Sequence, residues 1–228
     1  MQWWSNIVDQ FTRCFIREDR YTLLISGIGV TIKVSILALI LGLALGFLIA
    51  LCNLSKRKVL RAIGGVYTDI IRGTPSVTQL MIIYFVIFAS VNLEKWIIAA
   101  FAFGINSGAY VSEIIRAGIM SIDKGQTEAG RSLGLTQAQT MTRIILPQAL
   151  KNVFPALCNE FIVLIKETAI VGYVGLMDIQ KAGDFIKSAT FLAFMPLIGT
   201  AIIYYVLIKL LNIFLKWLEN KLRASDVR

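Results

Sequence analysis

Glu160 is the residue whose chemistry most demands an explanation. It follows Asn159 and leads directly into Phe161-Ile162-Val163-Leu164-Ile165, and a carboxylate in such company must find a cation or take up a proton. The cation is either the ammonium group or basic side chain of a solute, or a structural partner such as a nearby lysine. Asn106 and Ser107 interrupt a second apolar run, and Gln79 follows Ser76 and Thr78 in a third. Polar side chains at such positions in a bilayer are expensive, and they face a bundle interior or a water-filled path. Gln79 and Asn106 would orient the remaining polar groups of a solute held at Glu160, with Asn159 beside it.

Arg72-Gly73-Thr74-Pro75 breaks the run that carries Gln79. Pro75 removes a backbone donor, and broken helices are where carriers expose backbone groups to substrate. The alternative is a proline kink whose freed groups are satisfied by neighbouring side chains. On the first reading Thr74, Pro75 and Ser76 line a path. Glu113 and Arg116 are three residues apart on one helix face, as are Asp69 and Arg72, so each pair can meet locally. Lys166 and Glu167 are adjacent and point differently, so each needs its own partner. These charged residues read as mainly structural, at the inner end of the path.

Several chemistries are excluded. The chain has no histidine, and Cys14, Cys52 and Cys158 are widely spaced, so no metal site is expected and the cysteines read as small apolar residues. A membrane-embedded enzyme would need an H-E-x-x-H motif or a clustered pair of acids on one span, and neither is present. No G-x-x-x-x-G-K-[ST] loop occurs either, so there is no ATP site and no catalytic residue to assign.

The elements that must hold these residues are membrane helices. The chain has 228 residues, 57% of them hydrophobic, with a mean hydropathy of +0.72, too oily for a soluble domain. Residues 21–53 are apolar except for Lys33, which can snorkel to an interface, and Gly42 and Gly46 form a G-x-x-x-G notch. Further segments cover residues 63–91, 96–119, 150–174 and 191–215, giving five spans and ends on opposite sides. Met1-Gln2-Trp3-Trp4 lacks the basic-then-apolar order of a cleavable signal peptide.

Charge sets the direction. With the amino terminus outside, fifteen Lys and Arg residues fall on the inner side, Lys56, Arg57, Lys58 and Arg61 among them, against six outside. That bias places residues 121–149 in the cytoplasm. It also accounts for the net charge of +9 without nucleic acid.

Residues 128–147 are the longest polar, helix-capable run. They read Glu128-Ala129-Gly130-Arg131-Ser132-Leu133-Gly134, then nine residues, then Ile144-Ile145-Leu146-Pro147. A helix over 126–133 is expected, with Gly134 just past its end. Thr136-Gln137-Ala138-Gln139 has capping-box form and restarts a helix. Pro147 either disturbs that second helix or marks the start of the next.

This run resembles the cytoplasmic coupling loop of ATP-binding cassette (ABC) importer permeases. Gly134, Ile144, Leu146 and Pro147 fall at the family spacing, with Gly130 where a second alanine is usual. Arg72-Gly73-Thr74-Pro75, the stretch Ala109-Tyr110-Val111-Ser112-Glu113-Ile114-Ile115-Arg116, Lys124-Gly125-Gln126 and Lys166-Glu167-Thr168 resemble the polar amino acid branch, the histidine, glutamine and arginine uptake group. Glu167 stands where aspartate is more usual.

The resemblance implies an all-α polytopic membrane protein of five transmembrane helices with the type I ABC importer permease (MetI-like) fold. It implies an extracytoplasmic lead at 1–26, a permease domain at 27–216 and a cytoplasmic tail at 217–228. The chain would move a polar amino acid by alternating access across the cytoplasmic membrane of a prokaryote. Gln126, Glu128, Ala129, Gly130, Gly134, Ile144, Leu146 and Pro147 would meet an ABC ATPase, which holds the ATP and Mg2+. Gln79, Asn106, Asn159 and Glu160 would bind substrate, with Thr74, Pro75, Ser76, Glu113, Lys166 and Glu167 along the path. A second permease copy, identical or related, and an extracytoplasmic substrate-binding protein complete the partners, with membrane lipid around them. The rivals are the same fold carrying another small solute, a membrane-embedded enzyme, and a scaffold without transport.

Overall fold

The computed structural model describes residues 2–223, and all its regular elements are helical. Met1 and residues 224–228, the end of the expected tail, lie outside the described residues. Helix α1 (Gln2–Phe11) runs through a π-helical turn and a 3-10 turn into α2 (Tyr21–Leu54). The expected polar lead is thus folded, and its Cys14 and Phe15 are buried.

Helix α2 has 34 residues, about 51 Å at the α-helical rise, against a hydrocarbon thickness of ~30 Å. Part of it must stand beyond the lipid. Lys33 Nζ lies 3.6 Å from the centroid of the Trp96 ring, a cation–π contact with a residue type enriched at membrane interfaces. Lys33 thus has an aromatic partner within the protein.

The run 63–91 becomes two helices, α3 (Lys58–Arg72) and α4 (Ser76–Ile82), the latter extended by a π-helical turn to Ile87. They are bent by 103° at the break. Helix α5 (Lys95–Met120) follows, then α6 (Lys124–Ser132), α7 (Gln137–Thr140) and a π-helical turn at Met141–Ile145. Helix α8 (Leu146–Glu167) contains Pro155 and ends in a 3-10 turn at Thr168–Val174, before α9 (Ile179–Thr190) and α10 (Phe194–Arg223).

The count of five spans is not confirmed. Helices α2, α5 and α10 are long and apolar enough to cross a membrane, and the bent α3–α4 pair brings the number to four at most. Helix α8 has the length, with 22 residues, but not the apolar content of a lone span. Its Lys151, Asn152, Asn159, Glu160, Lys166 and Glu167 are the reason.

Close packing of α2 on α5 is built on glycine. A Cβ at Gly42 would lie 2.9 Å from Ser107 Oγ, and one at Gly46 2.5 Å from Val111 Cγ1. Helix α5 answers with its own G-x-x-x-G: a Cβ at Gly104 would lie 2.7 Å from Leu41 Cβ, and one at Gly108 3.1 Å from Leu45 Cγ. Small residues on both sides let the backbones approach where apolar burial gives no advantage over lipid. Around this contact Val34, Ala38, Leu80, Phe103, Leu164 and Val171 form the main core. A second cluster, with Cys14, Phe15, Leu24, Ala182 and Ile186, docks the lead on α9.

Candidate functional site

Two hydrogen bonds meet near the middle of α5. Asn106 Nδ2 donates to Gln79 Oε1 at 2.9 Å, and Ser107 Oγ donates to Glu160 Oε1 at 2.7 Å. All four side chains are buried, Glu160 at 7% exposure. Adjacent positions on α5 point about 100° apart, so Asn106 faces α4 while Ser107 faces α8. No lysine or arginine among the described residues lies within ion-pair distance of Glu160. The structural cation considered as its partner is not found.

Gln79 has a second task. Its Nε2 donates to Ile71 O at 2.7 Å and Thr74 Oγ1 at 2.6 Å, with Thr74 O at 3.2 Å. Thr74 Oγ1 in turn donates to Ile70 O at 2.9 Å. The last carbonyls of a helix have no intrahelical partner, and inside a membrane they need one from elsewhere. Gln79 supplies it for the end of α3, and Asn106 holds Gln79 in place. The proline break is therefore repaired by neighbouring side chains.

The other expected path residues are less concentrated. Asn159 is exposed on the face of α8 that turns away from Ser107, so the structure does not bring it to Gln79 and Asn106. Thr74, Pro75 and Lys166 are exposed, and Ser76 and Glu167 are half-buried. Glu113 takes a forked contact from Arg116, with Nη2 to Oε2 at 2.8 Å and Nε to Oε1 at 3.1 Å. Arg72 approaches Glu113 at 3.9 Å rather than pairing with Asp69, and its guanidinium lies 5.4 Å from the Tyr110 ring centroid. This cluster ties the end of α3 to α5, although such partly exposed pairs are individually weak.

The polar loop is folded by local chemistry. Gly134 has φ +82°, the left-handed conformation that side chains resist. Its N–H donates to Arg131 O at 3.0 Å, and Leu135 N–H to Gly130 O at 3.1 Å, the paired bonds of a Schellman end. Thr136 Oγ1 accepts from Gln139 N at 3.2 Å while Gln139 Oε1 accepts from Thr136 N at 2.8 Å, completing the capping box. Pro147 lies in the first turn of α8, which the backbone enters from the π-helical turn at Met141–Ile145 without leaving the helical region.

Gly130 is buried: a Cβ there would lie 2.8 Å from Thr140 Cγ2 and 3.0 Å from Ile144 Cδ1. It serves the packing of α6 on the following turn. Gln126, Glu128, Ala129, Gly134 and Pro147 are exposed, and Ile144 and Leu146 are half-buried. Leu133, at 81% exposure, is an apolar tip that sequence reasoning passed over. Its place beside the turn glycine was the available signal.

Residues 42–224 match the family described as binding-protein-dependent transport system inner membrane component. The chain belongs to this family. As one of its inner membrane components it is a transport subunit, with the fold of a type I ABC importer permease. It is 44% identical over 204 residues to the putative glutamine transport system permease protein GlnP of Rickettsia bellii, covering 89% of this chain and 94% of that one. The arginine transport system permease protein ArtQ of Bacillus subtilis is 42% identical over 205 residues, covering 89% and 94%. A solved amino acid ABC transporter, crystallised with histidines, superposes with a TM-score of 0.83 at 42% identity, covering 91% of this chain and 98% of that one. The inward-facing MetNI methionine ABC transporter gives 0.75 at 18% identity, covering 88% and 96%, a likeness of fold.

Proposed function

We propose that this permease carries a polar amino acid inward, as one subunit of an ATP-driven importer in a prokaryotic cytoplasmic membrane. The observation that carries this reading is its end-to-end likeness to an amino acid ABC transporter. The ATP and Mg2+ belong to a separate ATPase subunit, an extracytoplasmic binding protein delivers the solute, and a second permease copy closes the path. Few membrane helices per chain favour such pairing. The amino terminus is outside and the polar loop inside, in keeping with the positive-inside bias. The α3–α4 pair and α8 complete the five crossings when they are shielded by neighbours.

In this reading the exposed face of α6, with Gln126, Glu128, Ala129 and Leu133, docks the ATPase. The loop runs through Ile144, Leu146 and Pro147 straight into α8, and Glu160 lies about 21 Å further along that helix. A push on the loop is therefore delivered to the buried carboxylate through one continuous element. Glu160, with Ser107 fixing one of its oxygens, meets the cationic end of the solute. Gln79 and Asn106 keep the α3–α4 break in position and present that side of the path, along with Thr74, Pro75 and Ser76. Glu113, Lys166 and Glu167 line its inner end.

The test is uptake in proteoliposomes holding the complete transporter. Glu160→Gln should weaken cationic substrates by more than one charge-assisted hydrogen bond, about 1.5–3 kcal/mol, while assembly and basal ATP hydrolysis persist. Equal uptake by both proteins would return Glu160 to a structural role. Failure of any amino acid to stimulate ATP hydrolysis would remove the cargo assignment.

A further inference from the structure

An apolar groove of about 400 Å³ opens where α2, α5 and the start of α8 converge, a volume within the roughly 300–1,000 Å³ range of small-molecule sites. Phe47, Leu51 and Leu54 of α2 form one wall, and Met141, Leu146 and Leu150 the other. No lining side chain is polar. Leu51 is 52% and Leu150 65% exposed, so the groove is open along its length.

Depth identifies the surroundings. With the stacked Lys33 and Trp96 taken as one interface, Leu54 is about 32 Å away along α2, close to the ~30 Å hydrocarbon thickness. Leu54 therefore lies at the far border of the lipid, and the groove occupies the leaflet next to it. At that border the chain turns basic: Lys56, Arg57 and Lys58 follow Leu54, and Arg143 follows Met141 by two residues. Arg57 and Arg143 are exposed, and neither makes an ion pair among the described residues. An oily slot whose lining residues are followed in the chain by exposed cations without ion-pair partners complements a molecule with a long apolar tail and an anionic head. A second copy presenting the same face would set like charges together.

We propose that this groove holds one acyl chain of an anionic phospholipid of the inner leaflet, its phosphate at Arg57 and Arg143. The leaflet rests on the topology proposed above; the site does not. Met141 and Leu146 belong to the joint between α7 and α8, so a seated chain fills space behind the element that docks the ATPase. Headgroup charge in the inner leaflet would then bear on coupling.

The complete transporter, in bilayers of phosphatidylcholine doped with phosphatidylglycerol carrying a photoreactive group in one acyl chain, tests this by mass-spectrometric mapping of adducts. Adducts should concentrate on residues 47–54 and 141–150 over the largely exposed residues 205–214 of α10. Arg57→Gln and Arg143→Gln should each reduce groove labelling about fivefold, without affecting a photoreactive phosphatidylcholine. Leu51→Trp, which fills the slot, should remove groove adducts and leave those on α10. Equal labelling of groove and α10, or indifference to both arginine changes, would overturn the site. So would a disulfide between two permease subunits through Leu51→Cys, which would give the groove to a second copy. Topology is read separately by thiol labelling, so a reversed orientation with intact groove labelling would overturn the leaflet alone.

Discussion

Ser107 Oγ donates to Glu160 Oε1 at 2.7 Å, and the same Ser107 faces the missing side chain of Gly42, where a Cβ would lie 2.9 Å from its Oγ. Three helices thus meet at one hydroxyl. The glycine on α2 leaves room for the serine on α5 that holds the carboxylate on α8.

This relationship separates a packing effect from a polar one. Gly42→Leu should overpack the α2–α5 contact and cost about 1–3 kcal/mol, seen as a lower melting temperature in detergent. Ser107→Ala keeps the packing and removes the hydrogen bond, so its larger effect should fall on substrate-stimulated ATP hydrolysis. Equal melting of Gly42→Leu and the unmodified protein would show that the helices are not in the contact described.

Gln79 is expected to matter for folding before it matters for cargo. Gln79→Leu leaves the carbonyls of Ile71 and Thr74 without the amide that serves them, at about 1–3 kcal/mol for an unsatisfied buried group. Limited proteolysis near the α3–α4 break should accelerate in this variant and in Gln79→Glu, which loses both donors. Unchanged proteolysis would indicate that other groups close the break.

The loop predictions concern docking. Leu133→Asp changes an exposed tip, so it should lower copurification of the ATPase without shifting the melting temperature. Gly134→Leu forces a branched side chain into the left-handed region, at about 1–2 kcal/mol, and Glu128→Arg reverses charge on the same face. Both should insert normally yet transport poorly. Full uptake by all three variants would detach the loop from the ATPase.

Topology is checked in a background with Cys14, Cys52 and Cys158 replaced. Single cysteines at Asp9 and Gln180 should react with an impermeant thiol reagent in intact cells, and one at Gln137 should not. The opposite pattern would invert the orientation.

What the sequence determined by itself is the chemistry that closes within a few residues or follows from the solvent. Gly134 and the Thr136–Gln139 box rest on bonds spanning three to five residues, so composition at fixed spacing was enough to read them. The long apolar helices followed from the demand of lipid for about 20 apolar residues. The Gly42–Gly46 notch was visible as a pattern, but its partner was not. Only the tertiary structure paired it with Gly104 and Gly108, turned α4 by 103° from α3, and placed Lys33 on Trp96. It gave Gln79 to the end of α3, and it brought Ser107 to Glu160 across 53 residues of chain. These outcomes depend on how helices cross, and crossing is set by the side chains of two elements together, so neither element's sequence contains it.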